Sequence, residues 1–327
     1  MRPPPAPARG SALLIAMVLL SVVATLAAGM VWQQWQAVQV ETAERARAQA
    51  AWLAQGATDW ARLILREDLV TDGRRGDPDF TDTPSEAWAQ PLAEARLSSF
   101  LAVDREHNAE AGGPELFLSG QITDAQARYN LRHLLANNQV DPKQLAVLQR
   151  LCTSAGLGSD VAQQLADGLL AATLAADAAA PLPPQRVADL VWLGLDEAVL
   201  ARLAPLVVLL PVATPVNLNT ASREVLGAVL GLDAGSADRL VQARQQARTP
   251  AQKKQGFASL DVARQVLGPA VKLEEREVDV KTAFFEVHGR LRQGAQVVEE
   301  QALVERRSGP RVLVLYRTRA AQVLATP

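Results

Sequence analysis

The sequence predicts an α+β fold. Three observations carry the prediction: an uncharged stretch near the start that continues at helical spacing, a middle with 3.6-residue periodicity, and a closing section where apolar residues alternate with polar ones. With the opening segment set aside, roughly 250 residues remain, enough for one large or two small domains of about 100 to 200 residues each.

The first element is the apolar stretch. Ser11 to Val40 contains no charged side chain. A membrane-crossing helix needs about 20 apolar residues, so this stretch is long enough to span a bilayer, at about residues 11–35. Arg2 and Arg9 precede it, while Glu41 and Glu44 lie beyond it. Basic residues favour the cytosolic side, which places the amino terminus inside and the body outside. A cleaved secretory signal would have an apolar core of about 7 to 15 residues before a small-x-small site. Ala24, Ala27 and Ala28 supply small residues, but Met30, Val31, Trp32 and Trp35 carry the apolar face past them. A plain signal anchor fits the same composition, and removal of the segment would instead give a periplasmic protein, an enzyme among the readings.

The helical pattern does not stop at the membrane boundary. Val38, Ala46, Ala50, Leu53, Ala57, Trp60, Ala61 and Ile64 recur at helical spacing, with Gly56 as the single breaker and no proline. One helix from Ser11 to about Asp68 would run roughly 85 Å at 1.5 Å per residue. Asp68 to Glu86 then carries six carboxylates, with Arg74 and Arg75 bounded by glycines. Its Gly, Pro, Asp and Thr content predicts a solvated loop, and the ligand order of an EF-hand is absent.

Two short strands are expected around a turn at Asp124 to Ala127, from Leu116-Phe117-Leu118 and Gly120 to Asp124 on one side and Arg128 to Leu131 on the other. Leu145 to Leu151 and Val161 to Leu174 then show helical spacing until Pro181, Pro183 and Pro184. The sharpest internal motif is Pro215-Val216-Asn217-Leu218-Asn219-Thr220-Ala221. Thr220 is the expected cap of a helix with Arg223 and Glu224 in its first turn, and Gly231 its expected stop before a second helix near Ser236.

This is a helix-hairpin-helix pattern, which in many proteins holds DNA phosphates on backbone amides. Charge argues against that use here. Pro215 to Arg248 holds Arg223, Arg239, Arg244 and Arg248 against Glu224, Asp233 and Asp238, and Asp233 stands where a Gly-x-Gly hairpin would place glycine. A packing motif is the expected role.

The closing section changes period. Phe284 to Leu291, Gln296 to Val304 and Arg311 to Tyr316 read as three antiparallel strands separated by Gly294 and Ser308-Gly309-Pro310. Such a meander suits packing on the long helix. The net charge of -2 excludes a strongly basic nucleic-acid or membrane surface. Cys152 is the single cysteine, so it reads as a small buried apolar side chain. His107, His133 and His288 have no ligand spacing, and no catalytic constellation is expected.

The run Arg9-Gly10-Ser11-Ala12-Leu13-Leu14, the apolar helix directly behind it and its amphipathic extension resemble type IV pilins and secretion pseudopilins. In that family a prepilin peptidase cuts after the glycine, here Gly10, and methylates the new amine, here on Ser11. Most members have glutamate as the fifth residue after the junction, where it pairs with a neighbour's terminal ammonium in an apolar filament core. Here that residue is Ile15. The resemblance therefore implies a subunit with none above it.

Adding the Ile122 to Leu131 segment, the Asn217 to Ala221 motif and the closing strands, the whole chain is similar to the K-type minor pseudopilins of type II secretion, the general secretion pathway protein K family. That resemblance implies a pilin-like α/β head with an antiparallel sheet, interrupted by a large all-α insertion of helix-hairpin-helix (SAM-like) character. The expected divisions are residues 1–10 as leader, 11–70 as helix, 71–132 and 271–327 as head, and 133–270 as insertion.

It also implies a place at the pseudopilus tip, initiating assembly and limiting length for export of folded proteins across the outer membrane. The partners implied are I- and J-type minor pseudopilins, the major pseudopilin, the inner-membrane assembly platform and the prepilin peptidase. The location implied is the bacterial inner membrane, single-pass, with a periplasmic body and no nucleic acid. The alternative is a membrane-anchored DNA-uptake protein using the hairpin. No cofactor is expected. Some relatives bind calcium before their second helical subdomain, but the matching region, Asp167 to Asp189, is short and carboxylate-poor here, which leaves calcium open.

Overall fold

The computed structural model describes residues 11–74, 81–97, 115–174, 181–249, 254–269, 271–307, 309 and 311–323. Helix α1 spans Ser11–Arg74, so the predicted continuous helix forms and runs six residues past Asp68. Residues 54–327 make up one compact unit.

The strands are β1 (Leu92–Arg96), β2 (Leu116–Asp124), β3 (Tyr129–Asn130), β4 (Leu135–Ala136) and β5 (Gln139–Val140). Helices α2 (Pro142–Ser154), α3 (Ser159–Leu174) and α4 (Glu197–Leu203) follow, then β6 (Val207–Val208) and β7 (Val216–Asn217). Helices α5 (Arg223–Leu230), α6 (Ala234–Gln246) and α7 (Leu260–Leu267) precede β8 (Val278–Asp279), β9 (Phe284–Gln293), β10 (Gln296–Arg307) and β11 (Arg311–Val323). Five strands form one antiparallel sheet in the order β1-β2-β9-β10-β11.

The closing meander is as predicted, though each strand is longer because the backbone ladder continues where side chains turn polar. Strand β1 gave no apolar alternation to detect; its sequence is Leu-Ala-Glu-Ala-Arg. The two strands expected around Asp124 do form, but not as a hairpin. β3 leaves β2 through a 3-10 turn and pairs in parallel with β6, Tyr129 opposite Val207.

Strands β2 and β9 are sheet neighbours, and their pairing ends with Asp124 opposite Phe285. Among the described residues, all six α-helices after α1, with the short bridges β3-β6 and β7-β8, lie between these two strands in sequence. The chain therefore leaves and re-enters the sheet at one neck. Within the compact unit, Ala54, Thr58, Ala61 and Leu65 form the buried stripe of α1. Small residues let the helix approach the sheet closely: a Cβ on Gly289 would sit 3.6 Å from that of Ala57. Ala61 and Leu65 pack with Ile122, Phe285, Val287, Ala302, Val304 and Val312. Trp60, which the periodicity put on the apolar face, is 55% exposed; the face that packs is offset toward Ala61 and Leu65.

A second core fills the helical part, where Tyr129, Leu148, Leu151, Leu165, Leu190 and Leu226 cluster around a fully buried Cys152. Burial pushes the Cys152 thiol up to about 11, which suits its packing role. Ala125, Val208, Leu210, Phe284 and Leu303 form a third cluster at the seam between helices and sheet.

Candidate functional site

The first candidate is the start of α1. Ser11 opens the helix and Ile15 is 59% exposed within it. Its most apolar 18-residue window has a mean hydropathy of 2.5 and no buried share. Hydroxyls inside the stretch are satisfied by the helix itself: Ser21 donates to the Val18 carbonyl at 2.8 Å and Thr25 to the Ser21 carbonyl at 2.9 Å. Hydroxyls paired with the helix's own carbonyls suit lipid. Gly10 lies outside the described residues.

The second candidate is the neck. Asp124 is buried and accepts four hydrogen bonds, from Gln126 N and Thr282 Oγ1 on Oδ1, and from Asn217 Nδ2 and Thr220 Oγ1 on Oδ2, at 2.6 to 2.8 Å. Burial pushes its carboxyl up, and the donors from Thr220, Thr282, Asn217 and Gln126 pull it back. Asn217 also donates to the Asp82 carbonyl at 3.1 Å and accepts from Asn219 N at 2.9 Å. Asn219 closes a two-way pair with Phe257, accepting from its N–H at 2.8 Å and donating to its carbonyl at 3.1 Å. Three of the predicted motif residues, Asn217, Asn219 and Thr220, thus converge on the neck. Asp124, their hub, gave no signal beyond that of a turn residue, because its partners are up to 158 residues away.

Thr220 is not the helix cap. Ser222 caps α5, accepting from Val225 N at 3.3 Å, while the Thr220 hydroxyl is committed to Asp124. Gly231 ends α5 in the left-handed region, φ 66, as predicted, and Asp233 caps α6 two residues earlier than expected by accepting from Ser236 N. The four arginines of this stretch are engaged. Arg223 pairs with Asp238 at 3.2 Å, and Arg244 donates to the Leu218 and Ala221 carbonyls at 2.8 Å. Arg239 donates to Ser236 Oγ, and Arg248 to the Gln245 and Ala247 carbonyls. Arg223 alone of the four has a carboxylate partner among these contacts, and the other three hold hydroxyl and carbonyl oxygens of the fold.

The third candidate corrects the expectation of a solvated loop at 68–86. Asp72, Asp82 and Glu86 are each no more than 5% exposed. The reason is charge pairing. Lys254 Nζ donates to Asp72 Oδ1 and Oδ2 at 3.0 and 2.9 Å and to the Thr81 carbonyl at 3.2 Å, and it pairs with Glu86 Oε1. Arg306 pairs with Asp68 at 2.9 Å and with Asp82, and stacks 4.9 Å over the Phe285 ring. Asp77 and Asp79 lie outside the described residues. Oxygens of Asp68, Asp72 and Glu86 come within 4.8 Å of one another, a spacing that suits a cation. The Lys254 ammonium contacts two of those three carboxylates, so the chain supplies its own cation there.

In the region matched to the relatives' calcium stretch, Asp189 is spent on its own turn, accepting from Gln185 N, Arg186 N and the Arg186 guanidinium at 3.0 Å. Asp167 accepts from Gln163, and Asp177 lies outside the described residues. His133 faces the Thr214 carbonyl at 2.9 Å and His288 sits 3.7 Å from Glu286, far from any joint ligand set, while His107 is outside the description.

Residues 216–281 and 127–212 both match the family described as type II secretion system (T2SS), protein K. Type II secretion system protein K of Pseudomonas aeruginosa is 30% identical over 274 residues, 77% of this chain and 74% of the relative. The protein of the same name from Pectobacterium carotovorum subsp. carotovorum is 29% identical and covers 94% of this chain and 95% of its own length. Among solved structures, a chain of the GspK-GspI-GspJ complex from the enterotoxigenic Escherichia coli type 2 secretion system superposes with a TM-score of 0.61. It is 17% identical and covers 85% of this chain and 98% of its own. The antiparallel sheet with its helical excursion is the fold shared with that chain. On this identity and coverage, the chain belongs to the type II secretion system protein K family, the minor pseudopilins of that system.

Proposed function

We propose that this minor pseudopilin occupies the tip of the pseudopilus, initiates its assembly and limits its length during export of folded proteins across the outer membrane. The observation that carries the reading is Ile15, an isoleucine exposed on α1 where a shaft subunit would present a carboxylate to the terminal amine above it. An uncompensated ammonium in an apolar filament core costs several kcal/mol, so no subunit is stable above this one.

The GspK-GspI-GspJ assembly of the Escherichia coli relative supports I- and J-type minor pseudopilins as partners. The charge pattern around α1 supports insertion with the amino terminus in the cytosol and the body in the periplasm, and the helices that lie between the sheet neighbours β2 and β9 support residues 133–270 as an insertion in a pilin-like head. The role is structural, not catalytic.

Cleavage after Gly10 and methylation of Ser11 complete the proposal. Replacing Gly10 with tryptophan is expected to leave the leader on the protein. Mass and N-terminal sequencing of the wild-type protein from membranes should show a start at Ser11 with one added methyl. Normal-length mature protein from the Gly10→Trp variant would refute the peptidase assignment.

A further inference from the structure

We propose that the outer edge of β11, from Arg317 to Ala321, is a docking site where an extended, carboxylate-bearing segment of another subunit adds to the sheet as a further strand. β11 closes one end of the sheet order and, among the described residues, pairs with β10 alone. On the pseudopilus reading above, the subunit that supplies the segment is a neighbouring pseudopilin.

One hydrogen bond fixes the direction of the backbone groups on β11. In an antiparallel ladder the N–H and C=O of a residue point to the same side, and the side alternates from residue to residue. Arg306 N–H donates to the Ala283 carbonyl at 2.7 Å, so its backbone groups face the β9 side, away from β11. Val312, opposite Arg306, therefore turns its own groups out of the sheet. Arg62 bears this out, since its Nε and Nη2 donate to the Val312 carbonyl at 3.0 and 2.8 Å. β10 keeps an unbroken register with β9 from Gln296 to Glu305, so Ala302 and Val298, in alternation with Arg306, face β9 as well. Arg317 and Ala321 stand opposite these two, past the bulge at Leu303 and Val304, and point outward.

Natural sheets blunt their edges with charge, proline, bulges or a covering element. Along β11 the covering stops at the bulge. Arg62 occupies the Val312 carbonyl, whereas among the described residues nothing bonds the outward N–H or C=O of Arg317 or Ala321. Both residues are exposed, as are Ala320 and Gln322, and the short side chains of Thr318, Ala320 and Ala321 let another backbone approach. Strand addition draws its affinity from main-chain pairing and its choice of partner from side chains.

Charge makes that choice here. β11 carries Arg311, Arg317 and Arg319 and no carboxylate, and Ser308, Pro310 and residues 324–327 add no charged side chain. Asp59 of α1 lies 3.7 Å from Arg317, and Glu300 of β10 lies 2.5 Å from Arg319, so the carboxylates that reach these arginines do so from inside the fold. A second copy of β11 would set arginine against arginine across the new pair, which disfavours self-pairing and favours a strand with Asp or Glu.

The test uses the full chain in detergent micelles, alone and with the full-length I- and J-type minor pseudopilins of the same system, read by amide hydrogen exchange. In the chain alone the Arg317 and Ala321 amides should exchange fast, while those of Thr318 and Ala320, which face β10, exchange slowly. In the complex the first two should slow by about tenfold or more. Ala321→Pro removes an outward N–H that the ladder does not use. It should keep the thermal midpoint within about 2 °C of wild type and cut retention of the partner subunits by about tenfold or more.

A complex in which Arg317 and Ala321 stay fast overturns the docking site and leaves the tip placement standing, as does undiminished partner retention by a folded Ala321→Pro. Failure of any complex to form overturns both the docking site and the partner assignment. Protection that appears when the chain alone is concentrated puts a second copy on the edge and also overturns the proposal. The exchange measurement on the wild-type chain decides the matter even if Ala321→Pro does not fold.

Discussion

Asp124→Asn is expected to cost about 3 to 5 kcal/mol of stability although it changes a single atom, because the new amide must face an N–H donor in either orientation. On the Oδ1 side that donor is Gln126 N, and on the Oδ2 side it is Asn217 Nδ2. The two threonine hydroxyls can turn away, Thr220 toward the Asn217 carbonyl and Thr282 toward the Phe284 carbonyl, but the two N–H groups cannot. A loss of this size lowers the midpoint of a domain this large by on the order of 10 °C, measurable by calorimetry of wild type and variant at one pH. A shift under about 2 °C would mean that the neck does not depend on its carboxylate.

Lys254→Met is the second large effect, about 3 to 5 kcal/mol at pH 8, because it strips the ammonium from Asp72 and Glu86 and leaves both buried. The pH dependence carries a sign. Burial raises the Glu86 carboxyl and Lys254 pulls it down, so removing the lysine raises it further. A group raised in the folded state stabilises below its unfolded value and loses that contribution as pH rises. The penalty of Lys254→Met should therefore shrink toward pH 4 and be complete above about pH 7. Equal penalties at pH 5 and pH 8 would show that the lysine acts through its methylene packing alone.

These two residues mark the boundary of what the sequence makes legible. Elements whose cause is local were readable: the long helix from its unbroken apolar and periodic run, α2 and α3 from their spacing, Gly231 from its stop, and β9 to β11 from alternation. Asn217, Asn219 and Thr220 stood out as a motif, yet their partners did not, since Asp124 and Phe257 are 93 and 38 residues away.

The same limit explains the loop at 68–86. Its carboxylates look solvated when only neighbours in sequence are counted. Lys254 is 182 residues from Asp72 and Arg306 is 224 from Asp82, so no local pattern announces that they are buried together. Thr220 failed as a cap for a related reason: Ser222 satisfies α5 locally, and a buried carboxylate claims the threonine.

Placement in the filament is the claim on which the functional reading turns. It is tested most directly by gold labelling of this subunit on assembled pseudopili, with the epitope on the periplasmic body. Label confined to one end of each filament is the expected result. Label spaced along the shafts would contradict it, since a subunit carrying Ile15 would then tolerate a neighbour above it.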